Sequence, residues 1–150
     1  MIKYSDVYVS ILARGLCQPG EQFVSACAVN HQPWWSFAIP LFKHALLLVA
    51  TTHRLIALDH RKGLMYDRLD RAQSFAWHDV GAFKLGGLLT TKVVIRDRSN
   101  RVVVRGKVTG LLGPLPNNGA SVRTLLQTWE QHARLAPPRP MATLPRHAAA

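Results

Sequence analysis

The sequence predicts a mainly β domain: about seven antiparallel strands followed by one C-terminal helix. Three observations point there. The middle of the chain is a succession of short apolar, β-branched runs separated by polar turns. Residues 111–119 are too rich in Gly, Pro and Asn to continue a ladder. Beyond them an apolar stripe with helical periodicity appears around Trp129.

Taken in order, Val7, Tyr8, Ile11 and Leu12 stand at helical spacing and are stopped by Gly15, Pro19 and Gly20, which predicts a short helix over 7–16. The run 22–29 is short, apolar and β-compatible, and residues 30–33 break it. The continuous apolar stretch 45–50, the polar turn 51–53 and the alternation of 54–59 read as two buried strands in a hairpin. One long helix is the competing reading, but Thr51, Thr52, His53 and Arg54 would interrupt its apolar face. Residues 60–63 are expected as a loop, 65–69 as irregular or weakly extended, and 74–77 as a short strand. Gly86 and Gly87 suit a hairpin turn. Residues 92–96 and 101–105 each centre on three aliphatics, with 97–100 as the turn between them. In the final helix Ser121 reads as the N-cap, and Val122, Leu125, Leu126 and Trp129 form the buried stripe. The tail, 136–150, holds four of the nine prolines and is expected to be disordered.

A chain of 150 residues, 48% apolar, accommodates one core. The expected divisions are a lead-in over 1–20, a barrel domain over 21–135 and the tail. Cys17 and Cys27 belong to no Cys-x-x-Cys pair, and no secretory signal opens the chain, so free thiols in a cytoplasmic protein are expected. The most apolar stretch, 38–58, is broken by Pro40, Lys43, His44, His53 and Arg54, and spans no membrane as a helix.

Three segments carry a resemblance. Pro19-Gly20-Glu21 leads into the first strand. Residues 48–58, Leu-Val-Ala-Thr-Thr-His-Arg-Leu-Ile-Ala-Leu, place a threonine three residues before an arginine-leucine pair. Residues 75–83 place Asp79 ahead of an aliphatic residue and the fifth strand. In this order, and with a single terminal helix, they resemble bacterial pleckstrin-homology-like domains over residues 10–135. The resemblance implies two nearly orthogonal antiparallel sheets forming a barrel that the helix closes, with Trp129 as the plug. It also implies that the loops after strands one, three and six surround a ligand mouth.

Catalytic chemistry is not legible. The eight carboxylates are scattered, and His78 and Asp79 would point to opposite faces of an extended segment. Seven histidines occur without His-x-x-x-His or His-Glu-x-x-His spacing, so no metal and no cofactor is expected.

Charge is more informative. Nineteen Lys and Arg against eight Asp and Glu give a formal charge of +11, which favours anionic partners. Lys92, Arg96, Arg98, Arg101, Arg105 and Lys107 face only Asp97 within residues 92–107. A second group, Arg61, Lys62, Arg68 and Arg71, falls between the third and fourth expected strands. The expected anion site comprises Arg61, Lys62, Arg68, Arg71, Arg96, Arg98 and Arg101, with Arg61, Lys62, Arg98 and Arg101 lining the mouth. A solvated face serving solubility is the alternative reading of the same residues. Inositol-lipid specificity is not implied: residues 23–29 hold no basic side chain, and Lys43-His44-Ala45 lacks the final arginine found in such binders. Trp34, Trp35 and Phe37 form either a hydrophobic contact patch or part of the core.

The function expected from these readings is a non-catalytic interaction module for a protein partner or an anionic membrane surface, cytoplasmic and peripheral to the membrane. The competing expectation is a nucleic-acid binder using the 92–107 segment.

Overall fold

The computed structural model describes residues 5–31, 44–62, 67–87, 91–108, 115 and 117–135, with backbone alone at 6, 31, 44, 60–62 and 67–71. The Trp34, Trp35 and Phe37 patch and the expected tail at 136–150 lie outside these residues.

Helix α1 spans Asp6–Leu16, capped by the Ser5 side chain, which accepts from the Tyr8 N–H at 3.1 Å. Seven strands follow: β1 Phe23–His31, β2 His44–Thr51, β3 Arg54–Lys62, β4 Asp67–Ala76, β5 Val80–Gly86, β6 Thr91–Asp97 and β7 Val102–Val108. A 3₁₀ turn at Trp77–Asp79 separates β4 from β5, and helix α2 covers Asn118–Leu135. The fold is thus mainly β with a C-terminal helix.

All strand pairs are antiparallel, and the sheet runs in the order β4-β3-β2-β1-β7-β6-β5. It therefore ends on β4 and β5 rather than closing on itself. The four strands β1–β4 and the three strands β5–β7 meet between β1 and β7, where the register pairs Asn30 with Lys107. Gly106 makes this seam passable. A Cβ there would lie 2.6 Å from the Asn30 carbonyl oxygen and against Val29, so backbone and side chain leave room only for hydrogen.

One core lies between the two halves. Cys27 and Val29, Leu48 and Ala50, Leu55 and Ala57 face Phe83, Val93, Ile95, Val104 and Val108, with Val122 and Leu125 of α2 packed among them. Period-two alternation sends the other side chains of β1–β3 to the opposite face. There Ala26, Ala28, Leu47, Val49, Ile56 and Leu58 form a second core, covered by Val9 and Ala13 of α1 and by Leu115. These strands read as continuous apolar runs because both of their faces are buried.

Several expectations need correction. Helix α1 forms where expected but turns a different row inward: Val9 and Ala13 are buried, whereas Val7 and Ile11 are 69% and 67% exposed. Residues 60–62 continue β3 rather than forming a loop. The irregular stretch and short strand expected over 65–77 are one ten-residue strand, β4, with a register shift opposite Asp59 and His60. Trp77 opens the 3₁₀ turn rather than ending a strand. Helix α2 starts at Asn118, so Ser121 is an interior residue and its N–H bonds the Asn117 carbonyl at 3.0 Å. Trp129 is only partly buried, donating to the Val80 carbonyl at 3.0 Å and packing near Phe83. Trp77, at 3% exposure, is the more deeply buried indole and donates to the Thr51 carbonyl at 2.8 Å.

Candidate functional site

Two of the segments that carried the resemblance meet in one clamp. Gln18-Pro19-Gly20-Glu21 is a tight turn with Gly20 at φ +81°, which places proline and glycine where a type II turn wants them. The Glu21 carboxylate accepts from the Gln18 N–H at 2.8 Å, from Arg54 Nε at 3.0 Å and from the Thr51 hydroxyl. Arg54 Nη2 also reaches the Leu16 carbonyl at 3.1 Å, and Nη1 reaches Ser74 at 3.3 Å. One guanidinium therefore ties the end of α1 to the β2–β3 hairpin and to β4. The Glu21 side chain is 2% exposed. Its burial pushes the pKa up, but the bonds from Arg54, Gln18 and Thr51 prevail and hold it at about 2. Every charge in this clamp is committed to another element of the fold, so its role is architectural.

A second buried polar group completes the sheet. Asn118, fully buried, accepts from the Ala28 N–H and donates to the Ala28 carbonyl, both at 2.8 Å. Its amide thus satisfies the outward backbone pair of a β1 residue as a neighbouring strand would.

Of the candidate anion-site residues, Arg61 and Lys62 lie on β3 and Arg68 and Arg71 on β4, in the strands rather than in a loop. Their register opposes Lys62 with Asp67, Arg71 with Asp59 and Arg61 with Arg68. Two of these four cationic positions therefore stand across from a carboxylate. Arg98 and Arg101 are exposed in the β6–β7 turn, where Asn100 takes φ +63°. Asp97, the turn's carboxylate, accepts from the Arg101 N–H at 2.9 Å, and Arg96 Nη1 donates to the Asn100 carbonyl at 2.9 Å. β1 runs toward His31, which pairs with His44, and His44 pairs with Arg61. Continuing the antiparallel β1–β7 register from Asn30 and Lys107 carries the 98–101 turn beyond that same end of β1. The β3–β4 and β6–β7 connections accordingly share one end of the sheet.

The sequence reading missed Lys84. It lies on β5 opposite Val94, and the register brings it onto one outward face with Lys92 and Arg96 of β6 and with Arg105 and Lys107 of β7. The signal was the alternation of buried Phe83, Val93, Ile95 and Val104 against these cations; using it required the β5–β6 pairing.

His78 and Asp79 are not in an extended segment. In the 3₁₀ turn both are exposed, and His78 Nε2 lies 3.4 Å from the Asp79 carboxylate. Cys17 and Cys27 are free thiols; burial pushes Cys27 up to about 12. Among the described residues no three His, Cys, Asp or Glu side chains gather as a metal site, and no helix is long and apolar enough to cross a membrane.

No family model matches the chain, and no curated protein matches it. Among solved structures, the hSac2 domain from human phosphoinositide phosphatase Sac2 has a similar fold. The TM-score is 0.54 at 9% sequence identity, over 85% of this chain and 79% of that one. The likeness extends to the fold alone.

Proposed function

We propose that this chain is a non-catalytic interaction module of pleckstrin-homology-like architecture that docks by contact on an anionic membrane surface, its basic rim led by the β6–β7 turn. The architectural part rests on the division into four and three strands that meet at one seam, with a shared core and a C-terminal helix against it. The observation that carries the binding part is the state of the turn's charges. Arg98 and Arg101 are exposed, while Asp97, the carboxylate of the turn itself, is engaged by a backbone N–H. Exposed guanidiniums of this kind make charge-assisted bonds to phosphate or carboxylate oxygens. The similar hSac2 domain comes from a phosphoinositide phosphatase, and no substrate is carried across from it to this chain.

The test is cosedimentation with phosphatidylcholine–phosphatidylserine vesicles against phosphatidylcholine alone, as a function of salt. Binding to the anionic vesicles alone, lost as added salt shortens the screening length from about 10 Å toward 3 Å, is the expected result. A protein that ignores both vesicle types overturns the proposal. Retention on heparin and RNA without vesicle binding would favour the nucleic-acid reading of residues 92–107.

A further inference from the structure

The two outer faces of the molecule are treated differently. On β1–β3 the outer face is apolar and α1 lies over it. On β5–β7 the outer face carries Lys84, Lys92, Arg96, Arg105 and Lys107, interleaved with Ala82, Val94 and Val102, and the three lysines and Arg105 are exposed. The three strands contain a single carboxylate, Asp97, which sits at the end of β6 and is engaged in the turn.

The register makes this arrangement costly for the protein by itself. Lys92 and Lys107 are direct cross-strand partners, so two ammonium-bearing side chains spring from Cβ atoms about 5 Å apart. Lys84 is diagonal to both Lys92 and Arg96, and Lys92 is diagonal to Arg105. Like charges placed directly opposite destabilise a sheet. On β3–β4, by contrast, Lys62 and Arg71 are each set across from an aspartate. The face on which lysines oppose one another, with one carboxylate in its three strands, is the face that gains most from an external anionic surface.

From this we infer that the outer face of β5–β7 is a docking surface for an anionic bilayer, lying flat against the headgroups. The inference rests on the membrane-docking reading above and extends its contact from the rim onto the sheet face. The shape of the surface selects the occupant. Its cations are spread over three strands in two dimensions, about 5 Å apart across strands and 7 Å along them, which suits a planar array of charge. Among the described residues the face presents no aromatic ring on which single-stranded bases would stack, and it raises no helix to enter a duplex groove. Its uncharged members are small aliphatics that permit close approach.

The experiment compares two charge-matched triple variants: Lys84→Gln, Lys92→Gln, Lys107→Gln on the face, and Arg14→Gln, Arg123→Gln, Arg134→Gln at exposed positions of the two helices. Arg96 and Arg105 are left intact. Each cation near an anionic leaflet contributes about fivefold in partitioning, from about 1 kcal/mol per Lys or Arg. The face variant should therefore partition to phosphatidylcholine–phosphatidylserine vesicles roughly a hundredfold more weakly than wild type, and the helix variant within a few-fold of it. The face variant should also unfold at a urea concentration no lower than wild type, because its substitutions relieve repulsion; this separates lost binding from lost folding. If the face variant keeps wild-type partitioning, the inference falls and the rim alone carries the docking. Equal losses in both overturn it in favour of diffuse attraction. Failure of the wild type to prefer anionic vesicles overturns the membrane reading itself. If the face variant instead loses RNA retention while wild-type vesicle binding is absent, the face serves nucleic acid.

Discussion

At the scale of single residues, the Glu21 carboxylate couples stability to pH. Its folded value of about 2 lies below the ordinary 4.5, so the folded state holds the ionised form more tightly than the unfolded chain does. The contribution is complete above about pH 4.5 and disappears as pH falls through 2. Glu21→Gln should cost about 3 kcal/mol at pH 6, since it leaves Arg54 without its carboxylate partner. In urea titrations its gap from wild type should narrow steadily between pH 5 and pH 2; a gap of constant width would refute the assignment. Asn118 is the uncharged counterpart. Asn118→Ala strips both bonds from the Ala28 backbone and should lower stability by about 2–3 kcal/mol, with faster hydrogen exchange at the Ala28 amide.

At the scale of elements, α1 separates what local sequence can and cannot report. The row Val7, Tyr8, Ile11 and Leu12 and the row Val9, Leu12, Ala13 and Leu16 are both helically spaced and apolar, so periodicity offers no choice between them. The Arg54 bond to the Leu16 carbonyl and the turn at Pro19-Gly20 tie down the end of the helix, and both involve partners beyond it. Val9→Ser should therefore lower stability by about 2 kcal/mol, while Ile11→Ser stays within about 0.5 kcal/mol of wild type in the same denaturation assay. The reverse order would mean that α1 docks by its other face. The hairpins β2–β3 and β6–β7 were legible because their turns and apolar runs are contiguous. Strand β4 was not, because its first half reads Asp-Arg-Leu-Asp-Arg and its pairing is imposed by β3. The start of α2 was misplaced for a related reason: Ser121 looks like a cap, whereas Asn118 spends its amide on β1 instead of on its own helix. The cationic face was half legible, since Lys92 to Lys107 is one stretch of sequence but Lys84 joins it only through strand register.

For the whole molecule, the seam between the two halves is the point of greatest constraint. Gly106→Ala would press a methyl group onto the Asn30 carbonyl and Val29, and the halves must separate slightly to admit it. A loss of about 2–3 kcal/mol in a single cooperative transition is expected. Two separate transitions on calorimetry would instead mean that the halves fold independently. The same region explains why the position of Asn118 matters beyond stability. Beside the seam, β1 turns the N–H and carbonyl of Ala28 away from β2, which is the geometry that recruits an incoming strand. A side-chain amide cannot propagate a ladder, so filling this place with asparagine ends hydrogen bonding where another chain could have begun it. Removing that stopper should expose the molecule to strand invasion, seen as dimers or fibrils that form under native conditions and grow with protein concentration.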